Sequence, residues 1–329
     1  MGAVAVTGAN GFVGAQVVRA LVGRGRAVVA LCGCDVDDAN LASVAVERRA
    51  LDLLDPASVR AALAGCDEVV HSAACYAFWL PDARQFYRVN VDGTRHVLEA
   101  ARAQGCRKLV YTSTGATLAP DTAHAAGHYR ASKAQGEALV LRAAAEGFPA
   151  VVVHPTTVLG PGDRRPTPTG TLIVHFLNGH MKAYLEMAQN VVHVADVGLG
   201  HALALERGQT GAHYVLGGDN LSMRALLDLL AELTGLRAPR LALPNRLVHA
   251  LGAANEWLSD HVTHRPPLVA REAALHARDG RPFDVTKTRE ELGFSPRGAR
   301  EVLADAVRWF AAPPFCAPEL AARLRARLG

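Results

Sequence analysis

The chain has 329 residues, half of them apolar and a fifth charged, with a net charge of +4. That is room for one large domain or two modest ones, with a core that needs no covalent staple. The mild positive charge, without a long Lys/Arg run, argues against nucleic acid as a partner.

The N-terminus enters a strand pattern at once, Gly2-Ala3-Val4-Ala5-Val6, with no basic n-region of a signal peptide before it. Short apolar runs then alternate with helical stretches. Strands are predicted at Ala3–Val6, Ala27–Leu31, Val44–Val46, Glu68–His71, Leu109–Thr112 and Ala150–Val153, and helices at Val13–Val22, Pro56–Leu63, Phe86–Ala103 and Tyr129–Glu146. This alternation predicts βαβ units and an α/β, Rossmann-type doubly wound parallel sheet. Residues 160–170 are dense in turn formers and read as a loop. Residues 188–206 follow as strand and helix. Ser222–Thr234 reads as an amphipathic helix stopped by Gly235. The predicted domains are a dinucleotide-binding unit over 1–157, to which 188–217 returns, and a smaller, mostly helical substrate-binding lobe from 158–187 and 218–329. The basic end, Arg323 to Arg327, reads as a solvated amphipathic helix. No apolar run reaches membrane-spanning length, so no membrane insertion is expected.

Six cysteines (Cys32, Cys34, Cys66, Cys75, Cys106 and Cys316) form no CxxC pair and have no histidine at zinc spacing. They fit a reducing, cytoplasmic setting, and no metal site is predicted.

Between the first strand and helix lies Thr7-Gly8-Ala9-Asn10-Gly11-Phe12-Val13-Gly14. Glycines at this spacing permit a tight turn and close approach of a pyrophosphate, which the following helix N-terminus attracts. NAD is usually marked by an acidic residue ending the second strand, and NADP by a nearby arginine. This strand ends Leu31-Cys32-Gly33, with neither. Without that carboxylate the 2′-phosphate meets no repulsion, so NADP(H) is slightly favoured; Asp35 leaves NAD(H) open. Asp52-Leu53 is placed to cap an adenine.

Tyr129 and Lys133 stand four residues apart at the start of a predicted helix and share one face. A neighbouring ammonium favours the phenolate, so the phenol is able to exchange a proton with a carbonyl or alcohol. The fifth strand ends Thr112-Ser113-Thr114, hydroxyls at the edge where open α/β sheets bind ligands. The aromatic stretch Tyr76-Ala77-Phe78-Trp79-Leu80 is a candidate lining for an apolar pocket.

Taken together, these motifs resemble the extended short-chain dehydrogenase/reductases over nearly the whole chain. The match extends to His71-Ser72-Ala73-Ala74, Asn90-Val91-Asp92-Gly93-Thr94, His154-Pro155-Thr156, Gly160-Pro161-Gly162, Asp284-Val285-Thr286-Lys287 and Glu291-Leu292-Gly293-Phe294. Within them, Pro166–Gly170, Phe176–Gly179 and Leu216–Leu221 resemble the hopanoid-associated sugar epimerases, relatives of dihydroflavonol 4-reductase. The resemblance implies Tyr129 as acid–base, Lys133 as its modulator and Thr114 as the hydroxyl on the substrate oxygen. It implies a cofactor groove along Gly8, Asn10, Gly11, Phe12, Val13, Cys32, Asp52, Leu53, His71, Ser72, Ala73, Ala74, Thr112, Ser113, Pro155, Thr156 and Val158, with Tyr129 and Lys133 reaching the nicotinamide end. On the substrate side it implies Tyr76, Trp79, Thr114, Phe176 and His193. A homodimer is expected through the helices near Phe86–Ala103 and Tyr129–Glu146, with Ala138, Leu139, Val140 and Leu141 as candidate contacts.

The expected activity is hydride transfer between NAD(P)H and a carbonyl or alcohol of a small organic substrate. The alternative is a sugar epimerase that keeps its cofactor. Against it stands Gln189, where nucleotide-sugar epimerases tend to place an arginine; Arg164, Arg165 or Lys182 would have to replace that grip. Gly115-Ala116 after Thr114, in place of an acidic pair, disfavours a dehydratase. The intact Tyr129, Lys133 and Thr114 set disfavours a cofactor-sensing regulator without catalysis.

Overall fold

A computed structural model describes residues 2–33, 37–77, 79–118, 127–244, 255, 259 and 282–328. Cys34, Asp35 and Phe78, named above, lie outside the described residues.

Seven parallel strands form the main sheet: β1 (Ala3–Thr7), β2 (Val28–Cys32), β3 (Glu47–Ala50), β4 (Cys66–His71), β5 (Lys108–Thr112), β6 (Ala150–Pro155) and β10 (His213–Leu216). Their spatial order is β10-β6-β5-β4-β1-β2-β3. Successive side chains on a strand face opposite ways, and here both faces are covered. Val4, Val6, Val151 and Val153 pack against α1 (Phe12–Gly23) and α7 (Val194–Arg207). Ala5, Val69, Leu109 and Val152 pack against α2 (Pro56–Leu63), α4 (Gly93–Ala103) and α5 (His128–Ala145). That two-sided burial is why these strands read as unbroken apolar runs. Leu109 and Leu63 are fully buried, and burial of each such side chain stabilises by about 1.5–3 kcal/mol.

The strand order reverses between β1 and β4, so their carboxyl ends open a crevice. Thr7 and His71, paired in register, stand at its floor.

The smaller lobe has its own apolar core. It unites α6 (Pro168–Leu177), α8 (Met223–Thr234), α10 (Ala299–Phe310) and α11 (Pro318–Leu328) with β7 (Thr157–Leu159) and β9 (Ala188–His193). In α8, Gly235, at φ 71°, ends the helix as the sequence predicts, and Ser222, read as its first residue, is the cap of its first turn.

Several elements differ from their sequence reading. The third strand is Glu47–Ala50, not Val44–Val46: it is an edge strand that pairs through its backbone while its charged side chains stay largely solvated. Val44 and Val46 pack against the core from the preceding loop. Strand β9 joins β7 and β11 (Asp219–Ser222) in a three-stranded sheet and not the main one. Helix α6 begins at Pro168, inside the predicted loop, where Thr167 caps it through a bond accepted from the Gly170 N–H. Segment α9 (Thr286–Leu292) with Phe294 packs back on the main-sheet core, so the later residues divide between both units. The predicted helix Phe86–Ala103 is α3 (Arg84–Tyr87), a π-helical turn over Arg88–Asp92, then α4. Val140 packs wholly inside its own core, which removes it from any dimer face, whereas Ala138 is exposed.

Candidate active site

The glycine turn is built for a phosphate. Gly8 has φ +66°, and a Cβ there would come within 2.9 Å of the Ala73 Cα. A Cβ on Gly14 would lie 2.0 Å from the Gly8 carbonyl oxygen, so only glycine lets α1 start this close to the turn. Gly11 is the N-cap of α1 and brings no side chain to cap it. The first N–H groups of the helix therefore remain available to an anion. Phe12 and Val13, on that first turn, are half-buried.

At the end of β2 the Cys32 thiol is pushed up to about 11, first by burial and then by the Asp38 carboxylate. Asp38 accepts from Asn10 Nδ2 at 3.1 Å and pairs with Arg48 at 3.3 Å. The sequence reading missed this carboxylate and guanidinium because they lie beyond the strand end and on the next strand. Asp52 is exposed and accepts from the Leu54 N–H, and Leu53 is half-buried beside Gly93.

A hydrogen-bonded chain links the glycine turn to the Tyr–Lys helix. Thr7 Oγ1 accepts from the N–H groups of Ser72 and Ala73, both at 3.1 Å. Its own proton therefore goes to His71 Nδ1, 2.7 Å away. This leaves the His71 proton on Nε2, donated to Thr94 Oγ1 at 3.1 Å, which donates in turn to the Asn90 carbonyl at 2.8 Å. Burial, and then the Lys133 charge, lower the His71 pKa to about 3, so the ring is neutral as this pattern requires. Ala74, next along, is exposed.

Tyr129 and Lys133 start α5 and are both buried, 7% and 2% exposed. Lys133 Nζ donates to the Thr112 carbonyl at 2.6 Å and lies 4.4 Å from the centroid of the Tyr111 ring. Burial brings its pKa down to about 7, against the opposing pull of the Glu137 carboxylate. Tyr76 lies over Tyr129, ring centroids 4.9 Å apart. The half-buried Thr114 and buried Ser113 follow β5, so the hydroxyl cluster and the Tyr–Lys pair share the carboxyl edge of one strand.

On the β6 side, Thr156 Oγ1 donates to Asn190 Oδ1 at 2.8 Å, Pro155 is buried and Val158 is half-buried. Trp79 is half-buried in the loop after β4. Two residues expected on the substrate side are buried within the fold. Phe176 belongs to the core of the smaller lobe. His193 caps α7 through Nδ1, which also receives Arg297, and its Nε2 lies 3.3 Å from Asp305. Both are interior residues that join parts of the fold. Gln189 accepts from Thr157 Oγ1 at 2.8 Å; Arg164 pairs with Asp37 and Lys182 donates to the Gly179 carbonyl.

Three neighbours went unassigned at the sequence level. Asn90 donates to the Cys75 carbonyl and Ser132 Oγ and accepts from the Cys75 N–H, so it ties the loop bearing Tyr76 to α5. Its placement depends on the π-helical turn; the sequence marks Asn90 only as the first residue of the Asn90-Val91-Asp92-Gly93-Thr94 match, without a role. The ring of Phe283 lies against Gly115, where a Cβ would come within 2.9 Å of it, and Asn220 holds its backbone from both sides. Glu137, four residues beyond Lys133, was detectable by helical spacing alone.

The profile of the NAD dependent epimerase/dehydratase family matches residues 4–217. A putative dihydroflavonol 4-reductase from Synechocystis is 35% identical, with 93% of each chain covered. Sterol demethylase protein B from Methylococcus capsulatus is 34% identical, covering 93% of this chain and 97% of that one. Among solved structures, gox2253 superposes with a TM-score of 0.82 at 37% identity, over 94% of this chain and 97% of its own.

Proposed function

Given that this chain belongs to the NAD dependent epimerase/dehydratase family and is an NAD(P)-dependent oxidoreductase, we propose that it interconverts a carbonyl and an alcohol on an apolar organic substrate. Tyr129 exchanges the proton, Lys133 holds the phenol's charge and the cofactor end, and Thr114 hydrogen-bonds the reacting oxygen. The bound nicotinamide supplies or takes up the hydride. The observation that carries this reading is the buried Tyr129/Lys133 pair at the hydroxyl-bearing end of β5, joined through His71 to the glycine turn.

For the proton step, burial of Lys133 beside the reacting phenol strengthens its field, because little water screens it. Tyr76 over Tyr129 and Phe283 against Gly115 give the cleft aromatic walls suited to an apolar substrate. A sugar diphosphate would instead need a cation. Gln189 is neutral and bonded to Thr157, and the alternatives Arg164, Arg165 and Lys182 are exposed. This favours the reductase/dehydrogenase over the sugar epimerase.

For the cofactor, NADP(H) is kept as the slightly favoured form, with Arg48 as the candidate partner of a 2′-phosphate, while the Asp38 carboxylate beside the end of β2 leaves NAD(H) open. A homodimer through the exposed faces of α4 and α5 completes the proposal, with Ala138 on that surface.

The test is turnover by the purified protein of NADPH or NADH with a panel of apolar ketones and aldehydes, run beside nucleotide sugars. Stoichiometric oxidation of the nucleotide by an apolar carbonyl is expected. A redox-neutral change in a nucleotide sugar, with no nucleotide consumed by any carbonyl, would overturn the assignment.

A further inference from the structure

We infer that Glu137 is a positioning residue of this site: from the third turn of α5 it clamps the hydroxyl-bearing end of β5 and sets its negative charge against Lys133. The inference rests on the proposed role of the Tyr129/Lys133 pair.

Tyr129, Lys133 and Glu137 recur every four residues along one stripe of α5. Each successive turn takes the next part of the strand end. Lys133 binds the Thr112 carbonyl. One turn on, Glu137 Oε2 accepts from both Ser113 Oγ and Thr117 Oγ1, the latter at 2.9 Å. These two hydroxyls bracket Thr114 in the chain. The Thr114 carbonyl is fixed as well, since it accepts from His154 Nδ1 at 3.1 Å, while the single Thr117 proton goes to Glu137. The residue proposed to bind the substrate oxygen thus has its backbone fastened on both sides.

The protons in this cluster follow from its partners. A carbonyl only accepts, so His154 carries its proton on Nδ1 and accepts on Nε2 from His213 Nδ1, 2.9 Å away. Burial lowers the His154 pKa to about 4, which keeps that ring neutral. The free oxygen of Glu137, Oε1, lies 3.7 Å from His213 Nδ1. The titratable groups facing Glu137 are Lys133 on its own helix, Tyr111 on β5, His154 on β6 and His213 on β10. Those facing Lys133 are Glu137, His71 on β4, Tyr111 on β5 and His154. The side chain of Glu137 is only 13% exposed. A polar group at that depth needs hydrogen-bond donors, and Glu137 has them in Ser113 and Thr117. In return it offsets the burial of Lys133.

Two variants separate clamp from charge. Glu137→Gln keeps an acceptor oxygen for Ser113 and Thr117 but has no charge; Glu137→Ala has neither. The chain contains four lysines, Lys108, Lys133, Lys182 and Lys287, so carbon-13 NMR of labelled lysine, assigned with Lys133→Met, follows the Lys133 titration directly. In Glu137→Gln the Lys133 midpoint is expected to fall by about half a pH unit or more, and the alkaline limb of kcat to move down with it. Glu137→Ala is expected to lose a further ~10-fold or more in kcat as the strand end shifts, with KM and cofactor Kd within about twofold. An unmoved Lys133 midpoint in Glu137→Gln overturns the proposal, even if Glu137→Ala fails to fold. Absence of carbonyl turnover in the wild type would sink the functional reading while leaving the lysine titration readable.

Discussion

Lys133 makes stability and activity run in opposite directions with pH. Its pKa falls from 10.5 in the open chain to about 7 in the fold, through burial. Between those two values the unfolded chain binds a proton that the native state does not. Stability must therefore rise with pH across this window, by about 1.4 kcal/mol per pH unit, and be flat with respect to this group below and above it. Over the whole span the gain is about 5 kcal/mol, comparable with the net stability of many domains. Lys133→Met removes this contribution while keeping most of the side-chain volume. Urea unfolding of both proteins at a series of pH values isolates it as the difference between their curves. The wild type is expected to gain on the variant from about pH 7 up to about pH 10. Meanwhile wild-type kcat/KM is expected to fall through the same midpoint, because the ammonium proposed to support the Tyr129 phenol is being lost. Parallel stability curves for the two proteins across that range would show that Lys133 is not titrating in a buried site, and the electrostatic reasoning would fail.

Tyr129→Phe removes the proton donor and leaves the ring in place under Tyr76; it is expected to lower kcat by about 10²–10⁴ with cofactor Kd unchanged, and a rate within about threefold of wild type would contradict the assignment. Gly14→Ala pushes a methyl toward the Gly8 carbonyl, 2.0 Å from the new carbon, so fluorescence titration should find cofactor binding lost while the variant's circular dichroism stays helical. Arg48→Ala is expected to weaken NADPH about 10-fold or more and NADH little; equal effects on both would remove Arg48 from the 2′-phosphate site.

The parts of the site that were legible in the sequence are those whose geometry is local. The turn from Gly8 to Gly14 is fixed by backbone freedom within seven residues, and the Tyr129/Lys133 stripe by the pitch of one helix. The buried strands announced themselves because both their faces are covered. Legibility failed where the deciding partner is distant in the chain. Strand β3 pairs by backbone at a sheet edge, so its Glu47-Arg48-Arg49-Ala50 carries no apolar signal, and the neighbouring Val44 and Val46 drew the strand assignment to themselves.

Asn90 and Phe283 show the same limit at the site itself. Asn90 reaches Cys75 and Ser132 only because a π-helical turn carries it there, and Phe283 meets Gly115 only because Asn220 holds its backbone. His193 and Phe176 differ in the reverse sense: their types suit a pocket, and partners from α10 and the preceding loop hold them inside the protein. Glu137 falls between these cases. Its spacing from Lys133 was visible, but a glutamate four residues on is usually a solvated helix position. What changes its meaning is the pair of hydroxyls that β5 brings to it and the two histidines behind them. A motif therefore points to the candidate reacting groups, whereas the residues that hold them in register come from whichever strands the fold sets alongside.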